Sequence, residues 1–152
     1  MPKLLLFAPC HRAILDKADN SLSLVSVIHG LVVSPLPGTV DEPVPPNTVM
    51  PLNWSVGTVW LRNPDDGDKT FEQRVTVFTA ASTKMETNGM PFQMTHRTHH
   101  LVMTANAFPL GGPGEYRLVL LLREVRPDGK WLEVAEYPIE IQYEQHEPQK
   151  AG

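Results

Sequence analysis

Alternate positions between Val49 and Leu61 carry large apolar side chains. Met50, Leu52, Trp54, Val56 and Trp60 share one parity, and Asn53, Ser55 and Gly57 share the other. In an extended backbone successive side chains point to opposite faces, so this pattern predicts a strand with one face buried. Other apolar segments run Lys3 to His11, Ser21 to Val33, Thr70 to Ala80, Pro91 to Ala105, Glu115 to Val125 and Trp131 to Tyr143. In the fourth, Phe71, Val75 and Val77 oppose Glu72, Arg74 and Thr76; in the sixth, Leu118, Leu120 and Leu122 oppose Arg117, Val119, Leu121 and Arg123. Ser21 to Val33 is apolar on both parities, which predicts a central strand covered on both sides.

The residues between these segments are turn formers. Asp16 to Asn20, Asn63 to Asp68 and Arg126 to Lys130 are rich in Asp, Asn, Pro and Gly. The 15 prolines cluster between apolar segments, notably at Pro35, Pro37, Pro43, Pro45 and Pro46 around Gly38. Inside long helices they would remove donors and clash with the preceding turn. No stretch holds a helical period across three turns, although Thr79 to Asn88 has formers for one short turn of helix. The Asn63 to Asp68 turn predicts a hairpin between the third and fourth segments. Pro127-Asp128-Gly129 predicts another between the sixth and seventh. The apolar parity of the seventh switches near Pro138, which predicts a bulge there. The expected fold is all-β: an antiparallel two-sheet β-sandwich of seven to eight strands, immunoglobulin-like or C2-like. One domain over residues 1–143 is followed by a polar tail, 144–152.

The net charge of -4 and the lack of any Lys/Arg run argue against nucleic-acid and anionic-membrane partners. Cys10 is the one cysteine, so no intramolecular disulfide forms and no oxidising compartment is implied. Leu4 to Ala8 is too short for a signal-peptide core or a membrane span. These features lead to the expectation of a cytoplasmic protein.

The chemistry-bearing residues are sparse. His96, His99 and His100 form the one histidine cluster. On a strand, His96 and His100 would share a face at about 13 Å, too far apart for one zinc at about 2 Å from each. An exposed polar strand face is the expectation, with metal binding as the alternative. Asp16, Asp19 and Asn20, and Asp65, Asp66 and Asp68, fit turns better than calcium loops. Cys10 and His11 are neighbours on opposite faces, a poor nucleophile–base pair, and Cys10 reads as a buried structural thiol. Leu110 to Gly114 has no Lys-Ser/Thr after it and reads as a loop, not a phosphate cradle. Trp54 and Trp60 share the core parity and should pack inside. Trp131 follows a turn and is the first choice for a surface contact. Tyr116, just after a turn, fits a tyrosine corner whose hydroxyl bonds back to the preceding loop.

Two stretches carry a resemblance. They are Cys10-His11-Arg12-Ala13-Ile14-Leu15-Asp16-Lys17 with Asn20 to Val25, and Phe108-Pro109 with Pro113-Gly114-Glu115-Tyr116-Arg117-Leu118. Together they resemble a family of small uncharacterised bacterial β-sandwich proteins, a domain of unknown function. The resemblance implies the fold and no activity. The leading expectation is a non-enzymatic interaction or structural module, binding an unknown protein partner or self-associating through an edge strand. It needs no catalytic residue and no cofactor. One alternative is a metal-binding protein or metal-dependent enzyme built on His96, His99 and His100. Another is a carbohydrate- or small-ligand-binding sandwich using Trp131.

Overall fold

A computed structural model describes residues 1–35, 41–82 and 84–144. Pro37 and Gly38 of the expected loop, Thr83 and the tail from Gln145 onward lie outside the described residues. Ten strands follow in chain order: β1 (Lys3–Asp16), β2 (Ser21–Val27), β3 (Gly30–Val33), β4 (Val49–Leu61), β5 (Thr70–Phe78), β6 (Lys84–Glu86), β7 (Met90–Gln93), β8 (Thr98–Pro109), β9 (Gly114–Glu124) and β10 (Leu132–Tyr143). A 3-10 turn, Pro64–Asp66, is the helical element among the described residues. No helix there is long and apolar enough to cross a membrane.

The strands form two packed sheets. The first runs β2-β1-β4-β8, and the second runs β3-β10-β9-β5-β6 with β7 also on β5. Ten strands replace the seven or eight expected, because two apolar segments each divide between the sheets and β6 forms within Thr79 to Asn88. Ser21 to Val33 is not one central strand. β2 ends the first sheet and β3 ends the second, with the chain crossing at Ile28 and His29. There Ile28 N–H donates to Pro9 O at 2.9 Å, and Glu140 N–H donates to His29 O at 3.1 Å. Apolar residues on both parities served two different sheets in turn. Pro91 to Ala105 likewise divides into β7 and β8. The sheets are not wholly antiparallel, since β3 and β10 run parallel.

β4 and β5 do not form the expected hairpin. They lie in opposite sheets and face each other across the core. Their inward parities are those the alternation predicted: Trp54, Val56 and Trp60 from β4 meet Phe71, Val75 and Val77 from β5. Leu118, Leu120, Leu122, Ile139 and Ile141 complete the same core. Thr79 to Asn88 holds no helical turn; β6 lies within it and pairs with β5. β9 and β10 do pair across the Pro-Asp-Gly turn, but their register shifts between Glu133 and Ala135 and not at Pro138.

One buried polar contact joins the sheets. Gln73 Oε1 on β5 accepts the Thr58 hydroxyl at 2.9 Å and the Trp60 indole N–H at 2.8 Å, both from β4. All three residues are fully buried. A buried donor left without an acceptor costs about 1–3 kcal/mol. Gln73→Met keeps the volume but removes the acceptor. It should lower the unfolding free energy by about 1–3 kcal/mol in urea titrations.

Candidate functional site

β1 is shared between two neighbours. From Lys3 to Cys10 it pairs with β4, and from Cys10 to Asp16 it pairs with β2. The far half of β1 therefore leaves β4 as a ribbon with β2. Leu22 and Leu24 of that ribbon lie over Gly57: a Cβ there would stand 2.6 Å from Leu24 Cδ2. A larger residue there would have to displace the flexible end of Leu24. Where β1 peels away, β4 is itself irregular, its register with β8 shifting between Pro51 and Trp54. A wedge opens between them on the outer side of the sheet. Its volume is about 540 Å³, and His11, Arg12, Asn53, Ser55, Thr104 and Asn106 line it.

A second cleft opens on the inner side, between the edge of β8 and the second sheet. Its volume is about 320 Å³. Trp54, Val56, Val75, Met90 and Met103 form its apolar wall, and Thr87, Asn88 and Thr104 its polar rim. The strand opposite β8 is interrupted here. β6 stops at Glu86, β7 starts at Met90, and Gly89 between them sits hard against Glu72. Thr87 holds the break in place: its hydroxyl accepts from Val75 N–H at 3.0 Å, and its own N–H donates to Val75 O at 2.9 Å. The consecutive residues Val102 to Ala105 border the cleft, which places the β8 backbone along its rim.

β8 is a 12-residue edge strand with β4 as its sole ladder partner among the described residues. From Leu101 to Ala107 it carries no charge and no proline. Natural sheets usually guard such an edge with charges, prolines, bulges or brevity. Trp54 reinforces the strand where its ladder with β4 is broken, its indole N–H donating to Ala107 O at 2.8 Å.

The histidines do not converge. His96 lies in the bend before β8, not on a strand with His100 as expected, because the chain is crossing between sheets there. His99 is half-buried and stacks on Phe92, with ring centroids 5.1 Å apart. Among the described residues, no group of three His, Cys, Asp or Glu side chains is placed to hold a metal ion. Asp19 accepts Ser21 N–H and hydroxyl bonds, as a turn residue does. Asp66 is buried, accepts Asn63 N–H at 2.8 Å and lies 3.1 Å from the Met1 ammonium.

Trp54 and Trp60 are buried in the core and Cys10 is fully buried. The Tyr116 hydroxyl accepts Gly111 N–H at 2.7 Å and donates to Gly112 O at 2.6 Å. Burial pushes its pKa up, and Gly111 partly offsets that. Trp131 is half-buried under the guanidinium groups of Arg74 and Arg123, 4.4 and 4.5 Å from its ring centre. Arg123 also pairs with Glu72, Arg117 with Glu136 and Arg74 with Glu86. Three arginines of the second sheet are thus paired with carboxylates of that same sheet. The ring surface on which a sugar would stack is shared with two cations.

Sequence reading missed the lining of both hollows. Asn88-Gly89, a turn pair inside an otherwise strand-forming stretch, was the available signal for the inner one. The wedge had none, since it depends on which strands β1 leaves and joins. No protein-family model matches the chain, and no curated protein matches it.

Burial lowers the His99 pKa below the ordinary 6.5, and the neighbouring His100 and His96 charges lower it further. The unfolded chain therefore takes up a proton at this site before the folded one does. Stability should be full above about pH 6.5 and fall as pH drops through the window between the unfolded and folded values. His99→Gln should flatten this part of the stability–pH curve, as read by urea midpoints across about pH 5 to 8.

Proposed function

We propose that this domain is a non-enzymatic interaction module that takes an extended, apolar segment of another polypeptide along the edge of β8. The observation carrying this reading is the coincidence of a long, uncharged sheet edge with an open apolar cleft beside it. Backbone groups on the free side of β8 would pair with an added strand and supply affinity. The cleft would receive one of its side chains, with Thr87, Asn88 and Thr104 at the rim selecting what enters. At about 320 Å³ the cleft suits one aliphatic or aromatic side chain. The edge-strand exposure of this module is the kind a partner segment or a second copy can use. Its single cysteine, buried and unpaired, suits a reducing compartment, and we infer a cytoplasmic setting.

The test is amide chemical-shift mapping with short peptides bearing Leu or Val at alternate positions. Saturable shifts are expected at Thr87, Asn88 and Val102 to Ala105. Val102→Lys places a charge on the edge and should weaken binding about tenfold or more, since a buried or misplaced charge opposes strand addition. Peptides that leave these resonances unmoved would defeat the reading.

A further inference from the structure

β8 exchanges backbone bonds with β4 at alternate residues only, and one bond at the end of the ladder shows which. Arg62 N–H donates to Arg97 O at 2.8 Å, one step beyond the pair of Leu61 with Thr98. In an antiparallel ladder, bonded and non-bonded pairs alternate. Counting inward from Arg62 and Arg97, the bonded pairs are Trp60 with His99, Thr58 with Leu101, Val56 with Met103 and Trp54 with Ala105. The N–H and C=O groups of His100, Val102 and Thr104 therefore point away from β4. They lie on the free side of the edge, where no described strand pairs with them.

Resting on the strand-addition reading, we infer that the incoming segment carries an aromatic side chain at the position opposite Met103. Antiparallel pairing is slightly the more stable per residue. An antiparallel strand on this edge bonds to Val102 and Thr104 and leaves Met103 in a non-hydrogen-bonded pair. The two residues of such a pair approach to about 4.5 Å between Cα atoms, with their side chains on one face of the sheet. Met103 faces inward, is 9% exposed and lines the inner cleft. The side chain opposed to it enters that cleft. The lining there favours a ring. Met103 on β8 and Met90 on β7 bring thioethers from the two sheets. Thioether sulfur makes favourable contacts with aromatic rings, and the unbranched side chain adapts to their shape. Trp54 offers ring surface alone, because its indole N–H is taken by Ala107 O. Ala105, the next inward residue of β8, carries only a methyl group, which leaves width beside Met103.

The experiment titrates the full chain with a short Thr-rich peptide whose central residue is Phe, Leu or Ala. Phe should bind about fivefold more tightly than Leu, and Ala most weakly. Met103→Leu and Met90→Leu nearly conserve volume and should bring the Phe and Leu peptides to equal affinity. N-methylation of the central Phe should leave binding unchanged, since its N–H points away from β8. N-methylation of either neighbour should weaken binding about tenfold or more. Val102→Pro removes a free N–H and no bond to β4, so it should keep the urea midpoint and lose binding. If that variant fails to fold, amide hydrogen exchange of the unmodified chain reads the same alternation: slow at Leu101 and Met103, fast at Val102 and Thr104. Equal affinity for Phe and Leu in the unmodified chain overturns the aromatic anchor and leaves strand addition standing. Slow exchange at Val102 and Thr104, or loss of binding on methylating the central residue, overturns the pairing. Absence of binding by every peptide defeats strand addition itself, and this inference with it.

Discussion

Gln73 is the point on which the two sheets are referenced to each other. Its carboxamide oxygen is fully buried and takes donors from Thr58 and Trp60 of the facing sheet. Apolar contacts tolerate sliding, because many arrangements bury similar area. A hydrogen bond in low dielectric tolerates little, because a lost partner leaves a desolvated polar group. The contact fixes β4 over β5, and the rings around it follow. Trp60 stacks on Phe92 at 6.0 Å, and Phe92 stacks in turn on His99. The same docking sets the gap between Val56 and Val75, which are two walls of the inner cleft.

The two sheets divide the work unequally. The outer face of the second carries arginines matched to glutamates and aromatic rings. The first sheet has long strands and few such matches. One of its ends is β8, uncharged over its central stretch. The other is β2, which leaves Val25 and Val27 exposed. Both hollows open on this sheet, one on each side of β8. The edge of β8 is the stretch of this sheet left without a second ladder partner among the described residues.

Much of the core was legible as parity. The inward sets on β4, β5 and β9 follow from side-chain alternation, and the Tyr116 position follows from a turn placed just before a strand. The sites were not legible in the same way. The wedge draws on residues 11–13, 53–55 and 104–106, three segments that meet only because β1 exchanges β4 for β2. The histidine cluster looked compact in sequence, yet a crossing between sheets at residues 94–97 puts His96 in a bend and His99 against Phe92.

Residue order alone determined that the chain would be β-rich, where most strands would turn, and which side of several would be buried. Those properties come from neighbouring residues: an extended backbone alternates its faces whatever it pairs with, and Asp, Asn, Gly and Pro bend it locally. Tertiary structure decided which strands became neighbours, where a continuous apolar run such as Ser21 to Val33 would be cut, and where the hollows would lie. Pairing joins residues far apart in the chain, and an inward-facing valine reads the same whether its strand lies at the centre of one sheet or at the edge of another.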